Sequence, residues 1–249
     1  MKLYICLGIT LLFMLITFIR KSITIRGIIV GGIITFGLAY YGGIPMFLMI
    51  FLFYAVDKIF AMITNDHSDD QRNEYQILAN TVIPYICILL YAIYKKEIFI
   101  ILASVGFAEC LADTLSSTIG KHAKYHLCLR NLKRDENNLS GDISVLGILA
   151  SIFGALIISF TYYELINNNF YHFVIITLLG VLGGFIDSLL GAFIQNKYQC
   201  SKCKKIVEEK KHCNRKTKKV SGFLFVDNSM VNFLSELIVV VVGIIILIL

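Results

Sequence analysis

Hydrophobic positions along this chain come in long unbroken runs, not in strict alternation and not as a single helical stripe. Leu3 to Ile19 carries no charge and ends at Arg20 and Lys21. Gly27 to Val56 is also uncharged and too long for one crossing, and Gly42-Gly43 followed by Pro45 is a turn signal that splits it. This gives one span near 26–41 and another near 44–63, the latter containing Asp57 and Lys58. Ile77 to Tyr94, Ile98 to Ala112, Ile143 to Tyr163, His172 to Asn196 and Val231 to Leu249 follow. A helix needs roughly 20 apolar residues to cross about 30 Å of hydrocarbon, and nothing resembles the roughly 10-residue alternating segments of a membrane barrel. The pattern predicts an all-α, polytopic membrane helix bundle of about eight transmembrane helices, with residues 1–249 forming a single integral-membrane domain. Leu3 to Ile19 reads as a span, because no small-x-small cleavage site follows it.

Composition agrees. The chain is 57% hydrophobic and 16% charged, with a mean hydropathy of +0.75, against about 45–50% apolar and 25% charged for soluble domains. A soluble globular domain is excluded. Charge placement adds orientation. With the N-terminus outside, the inner loops fall at 20–26, 64–76, 113–142 and 197–230, and they hold 19 of the 23 basic residues. Such a bias marks the cytoplasmic side of a multi-pass protein. The segment 197–222 is a basic, Cys/His-containing cytosolic loop. Lys197 to Lys219 alone holds ten basic residues against Glu208 and Glu209. It is read as a topogenic loop that touches anionic lipid, or as a phosphate-binding one. Membrane lipid is an expected partner and nucleic acid is not.

Polar side chains within or at the ends of spans are costly in hydrocarbon and so are functional candidates. They are Asp57, Asn80, Glu109, Asp113, Asp187, Gln195, Asp227, Asn228, Asn232 and Glu236. Most of them lie at inner ends, where they can converge on one site. In Glu109 to Gly120, helical spacing puts Asp113, Ser116, Ser117 and Gly120 on one face. In Gly183 to Gln195 it does the same for Asp187, Gly191 and Gln195. The likeness of Asp113-Thr114-Leu115 to Asp187-Ser188-Leu189 hints at an internal duplication. Two carboxylates on different spans beside hydroxyls suit Mg²⁺, which completes its shell with water and phosphate oxygens. The alternative is that both aspartates cap helices or hydrogen-bond across the bundle.

Gly147, Ser151 and Gly154 on the sixth span, and Gly180, Gly184 and Gly191 on the seventh, have the spacing that lets helices pack closely. Leu139 to Gly147 enters its span from a basic loop. Its helix N-terminus, with Ser140, Ser144, Arg130, Lys133 and Arg134 nearby, suits a phosphate or is simply an N-cap beside topogenic charges. A Walker site is excluded, since Gly120-Lys121 is followed by His122 and Leu115 stands where the first glycine belongs. No nucleophile elbow, zincin motif or kinase signature set is present. Cys200, Cys203, His212 and Cys213 form a zinc-type ligand set, although adjacent His and Cys ligands are unusual by spacing. Cys6, Cys87, Cys110 and Cys128 are scattered and read as inert.

Five ordered segments, RNEYQILAN (Arg72 to Asn80), ADTLSSTIG (Ala112 to Gly120), SGDISVLGILAS (Ser140 to Ser151), GGFIDSLLGAFIQ (Gly183 to Gln195) and DNSMVNFLSE (Asp227 to Glu236), resemble the integral-membrane family catalogued as domain of unknown function 92. This is the family of animal transmembrane protein 19 and plant phytyl-phosphate kinase. The Cys200 to Cys213 loop looks like the cysteine-bearing loop of its eukaryotic members. Two positions depart from the family pattern: Thr118 stands where an acidic residue is usual, and Asp142 where a glycine is common. The resemblance implies a transferase that phosphorylates a polyprenyl monophosphate to the diphosphate with a nucleoside triphosphate, CTP being a candidate. On that implication Asp113 and Asp187 hold Mg²⁺, helped by Asp227 or Asn228, and Ser116, Ser117 and Gln195 orient phosphate oxygens. Lys121, Arg130 and Lys133 offset their charge, Ser144 lies at the phosphate, and Asn80 and Asn232 complete the polar wall. A transporter or flippase for a phosphorylated lipid or small anion is the rival expectation, and it would require a polar route across to the outer face. A family member without catalysis, with Thr118 as its mark, is the third.

Overall fold

A computed structural model describes residues 1–64, 71–135 and 139–248. Parts of the expected loops at 64–76 and 113–142, and Leu249, lie outside the described residues. In chain order the helices are α1 (Lys2–Ile19), α2 (Ile25–Gly42), α3 (Ile44–Ile63), α4 (Glu74–Ala79), α5 (Val82–Tyr94), α6 (Ile98–Gly120), α7 (Val145–Leu165), α8 (Phe170–Phe193) and α9 (Asn228–Ile248). Among the described residues seven of them, all but α4 and α5, are long and apolar enough to cross a membrane. The protein is an all-α membrane helix bundle.

The α2–α3 joint forms where the glycine pair predicted it. Gly43 takes φ +81°, a left-handed conformation that favours glycine, and Pro45 sits in the first turn of α3. The expected continuous span from Ile77 to Tyr94 is instead interrupted at Asn80-Thr81, leaving a 6-residue α4 and a 13-residue α5. Pro84 has no N–H to give the Asn80 carbonyl four residues earlier. That carbonyl accepts from the Cys110 thiol at 3.2 Å. The Asn80 amide donates to the Gln76 carbonyl at 2.9 Å and the Thr81 hydroxyl to that of Ile77 at 2.6 Å, which closes off α4. A capping box of Asn73 and Gln76 starts the same short helix. Non-helical backbone at membrane depth is tolerated where it lines a cavity, and Asn80 lines one.

α6 is the central helix, packed against α3, α5, α7, α8 and α9. Every residue from Ile100 to Ala112 is buried, as expected of a helix that is apolar on nearly all sides. Its neighbours approach closely through small residues. A Cβ at Gly154 of α7 would lie 2.7 Å from the Leu111 carbonyl oxygen, and one at Gly180 of α8 would lie 3.0 Å from the Ala108 backbone. The opposite faces of α7, α8 and α9 present exposed Leu149, Phe153, Leu178, Phe185, Val241 and Ile245, an apolar exterior suited to lipid.

The long basic loops fold into small antiparallel sheets. β1 (His126–Cys128), β2 (Lys133–Asp135) and β3 (Asp142–Ile143) form one, in the order β2-β1-β3. β4 (Lys197–Cys200), β5 (Ile206–Val207), β6 (Lys211–His212) and β7 (Arg215–Ser221) form the other, in the order β5-β4-β7-β6. In β7 the half-buried and exposed positions alternate, the period of a one-sided strand. α8 stops at Phe193, so Gln195 lies beyond the helix and not on the face shared by Asp187 and Gly191.

Gly154→Ala is expected to lower stability by about 1–3 kcal/mol, because the added methyl meets backbone that cannot rotate away. Thermal unfolding in detergent, beside the surface control Leu149→Ala, measures it.

Candidate functional site

One end of the bundle encloses a cavity of about 1530 Å³. Its wall is drawn from the end of α1, the α1–α2 loop, the C-terminal part of α3, the segment before α4, the C-terminal turns of α6, the residues leading into α7, the C-terminal half of α8, the β5 strand and the start of α9. Described residues of all four basic loops therefore meet at the same end of the molecule.

The floor is acidic. Asp113 of α6 and Asp187 of α8 both line the cavity, with their carboxyl groups within hydrogen-bonding reach of each other. Deeper in the bundle lie Glu109, one turn earlier on α6, and Glu236 of α9, both essentially inaccessible. Ser235 joins the layers. Its hydroxyl lies 2.7 Å from Glu109 Oε1, 3.3 Å from Asp187 Oδ2 and 2.9 Å from the Asn232 carbonyl. Cys110 Sγ also lies 3.3 Å from Glu236 Oε1, while Glu236 Oε2 has no hydrogen-bond partner among the described residues. Several carboxyl groups sharing one low-dielectric interior repel one another unless protons or a cation sit among them.

Above the floor the wall is polar on one side. Asn232 donates to Asn80 Oδ1 at 3.0 Å, tying α9 to the break between α4 and α5. Arg72 pairs with Asp57 of α3 at 3.0 Å and lies over the Phe53 ring at 5.3 Å. Its backbone is also held, donating to the Ser22 carbonyl at 3.1 Å and accepting from Thr24 N at 3.0 Å. Ser116, Ser117, Thr118, Lys121, Ser144 and Asn228 complete the polar lining, whereas Ile16, Phe51, Ile59 and Met62 of α1 and α3 give the cavity an apolar flank.

The rim is built by the loop before α7 and by the second sheet. Gly141, at φ +93°, passes so close to α8 that a Cβ there would lie 2.4 Å from Ala192 backbone atoms. Asp142, where the family pattern favours glycine, folds back to accept from Leu139 N at 2.9 Å. Ser144 caps α7 by accepting from Gly147 N and donates to the Gly120 carbonyl at 3.1 Å. Glu208 reaches over from beside β5. It accepts from Ser140 N at 2.7 Å and from Gln195 Nε2 at 2.9 Å, and the buried Lys197 donates to the Ser140 carbonyl at 2.6 Å.

Of the residues predicted from sequence, Asp113, Asp187, Ser116, Ser117, Asn80, Lys121, Ser144, Asn228 and Asn232 come together on this cavity. Four are placed elsewhere. Arg130 and Lys133 are exposed around the β1–β2 hairpin and are not among the lining residues. Gln195 is occupied in holding Glu208 and Ser140. Asp227 caps α9 by accepting from Met230 N at 3.0 Å. The sequence marks Asp57, Glu109 and Glu236 as candidates without assigning them a role, and it does not single out Arg72, Ser235 or Glu208 for the site. The intramembrane acids announced themselves by their depth, but Ser235 and Arg72 had no signal of their own.

A second cluster lies at the sheet. The donor atoms of Cys200, Cys203, His212 and Cys213 all fall within 4.8 Å of one another. The Cys203 backbone N–H and the His212 ring hold the Cys200 thiol down to about 6.

Two relatives share most of the chain. Protein PGR of Arabidopsis thaliana is 27% identical over 194 residues, covering 67% of this chain and 66% of that protein, just under two thirds of its length. An uncharacterized membrane protein of Methanocaldococcus jannaschii, MJ0933, is 26% identical over 204 residues, covering 76% of this chain and 83% of its own. No solved structure matches. The family described as integral membrane protein DUF92 matches residues 8–240, a range that takes in every residue lining the cavity, and the chain belongs to that family.

Proposed function

We propose that the cavity binds the phosphate head of a polyprenyl monophosphate together with a nucleoside triphosphate, and transfers a phosphoryl group between them. The observation that carries this reading is a single cavity with carboxylates at its floor, hydroxyls and basic groups on its wall and an apolar flank facing α1 and α3. An amphiphile with a phosphate head and a hydrocarbon tail matches such a lining. A purely polar solute would leave the apolar flank unused.

In the proposed reaction a phosphate oxygen of the prenyl monophosphate attacks the γ-phosphorus. The bond from that phosphorus to the β–γ bridging oxygen breaks, and the nucleoside diphosphate leaves with the bond's electron pair. The products are prenyl diphosphate and nucleoside diphosphate. Little covalent work falls to the protein in such a transfer, and positioning and charge stabilisation carry the catalysis. Asp113 and Asp187 fit a hard cation of the Mg²⁺ type, being two facing carboxylates beside hydroxyls with room for water and phosphate oxygens. That ion would neutralise charge on the phosphates. Ser116, Ser117 and Asn228 are positioned to orient phosphate oxygens. Arg72, held by Asp57, and Lys121 supply positive charge.

The extent of the cavity fits an enzyme that acts on a headgroup at one face of the membrane. None of its lining residues comes from the outer halves of α6, α7 or α8. Between Glu109 and the opposite end stand Leu102, Val105, Phe107 and Ala108, all fully buried. The polar group at that end, where Tyr162 donates to Glu97 at 3.0 Å and contacts His172 at 3.1 Å, is separate.

Two outcomes test the reading. With purified protein, geranylgeranyl or phytyl monophosphate, Mg²⁺ and each nucleoside triphosphate in turn, Asp113→Asn and Asp187→Asn should each lower diphosphate formation by about 100-fold or more, the scale for removing one group that stabilises transition-state charge. Equal turnover in variant and wild type, or none in either across several prenyl chains, overturns the assignment. Shortening the acceptor to a five-carbon monophosphate should lower kcat/KM by at least about 100-fold, since each buried methylene contributes about 0.8 kcal/mol. A ratio near one would show that the apolar flank does not hold the tail.

A further inference from the structure

We infer that Cys200, Cys203, His212 and Cys213 form a closed, four-coordinate structural zinc site that fixes the second sheet over the mouth of the cavity. His212 Nδ1 lies 3.5 Å from Cys203 Sγ and 3.3 Å from Cys213 Sγ, and all four donor atoms lie within 4.8 Å of one another. In a tetrahedral site with Zn–S bonds of about 2.3 Å, donor atoms stand roughly 3.8 Å apart. Three sulfurs and one imidazole are the donor set zinc selects over harder cations.

Adjacent ligands, which the linear spacing disfavours, are accommodated by the hairpin between β6 and β7. His212 pairs with Arg215, so Cys213 and Asn214 form a two-residue turn, and both have positive φ, +51° and +57°. That is the geometry of a primed hairpin turn, which favours Asn and Gly and is costly for cysteine. The turn folds the Cys213 thiol back beside the His212 ring. On the other side Lys204 takes φ +62° directly after Cys203, and Lys204 N donates to the Cys200 carbonyl at 3.0 Å, turning the first pair of cysteines toward the second.

The site has a mechanical task. β4 leads from the end of α8 to Cys200, and the segment between the two ligand pairs carries Lys205, Ile206 and Glu208 onto the cavity wall. Both ends of that segment are ligands. Short strands of two residues, β5 and β6, bury too little to hold it alone. A metal between the ends fixes Glu208 against Ser140 and Gln195. Four protein donors fill the tetrahedron and leave no position for water or substrate, so the site's role is structural.

The test reads metal, not turnover, and so stands apart from the phosphotransfer reading. Full-length protein purified in detergent from zinc-supplemented cells should carry about one zinc per chain by elemental analysis. Cys203→Ser and Cys213→Ser should lose at least tenfold of it, while Cys128→Ser and Asp113→Asn keep it. Replacement of zinc by cobalt in the wild-type chain should give thiolate charge-transfer and tetrahedral ligand-field bands, a readout that needs no variant to fold. Removing the metal with a chelator should speed tryptic cleavage within 197–219. Wild-type protein that is monodisperse yet holds under about a tenth of a zinc per chain, that takes up cobalt without those bands, or whose four ligands are recovered as disulfides overturns the inference.

Discussion

The close approach of α7 and α8 to α6 is the contact on which the remainder of the fold depends. In a bilayer, lipid tails are as apolar as the helix faces, so helices associate where small residues let backbones come together. Gly154 and Gly180 do this against Leu111 and Ala108. The consequence is chemical as well as mechanical. With α6 surrounded on all sides, Glu109 and Asp113 cannot face lipid and must turn toward α8 and α9, where Asp187, Ser235 and Glu236 meet them. One set of glycine contacts thus creates both the core and the acidic floor.

The second constraint is the missing N–H of Pro84. It ends the short α4, frees the Asn80 carbonyl and leaves it to the Cys110 thiol. The break places Asn80 beside Asn232. A continuous helix in that position would satisfy its own backbone and leave the Asn80 carbonyl nothing to offer Cys110. The polar wall is therefore a product of an interruption, much as other membrane proteins keep irregular backbone only where it borders a polar space.

At the rim the protein uses charge to hold its own loops. Lys197 and Glu208, taken from a segment rich in lysine, grip Ser140 from two directions. Gly141 permits the approach, since any side chain there would meet Ala192. Asp142 supplies a local turn there, its carboxylate accepting from Leu139 N. Thr118 lines the cavity where the pattern has an acid, and the floor keeps its carboxylates from Asp113 and Asp187.

The sequence by itself determined the membrane location, the helical class, the α2–α3 turn and the grouping of Asp113, Ser116 and Ser117, because run length and period follow from the bilayer and from 3.6 residues per turn. It also marked the Cys/His loop, and the hairpin turn sets the Cys213 thiol 3.3 Å from the His212 ring. What only the tertiary structure decided is which polar groups share a cavity. Arg130 and Lys133 sit in the same basic loop as Lys121, yet the β1–β2 hairpin carries them to the surface. Gln195 lost its expected face because α8 ended two residues earlier, and the proline break was invisible to a window average. Hydropathy sums over neighbours in the chain, whereas a site is assembled from neighbours in space. Ser235 and Arg72 acquire their partners, Glu109 and Asp57, across 126 and 15 residues of sequence.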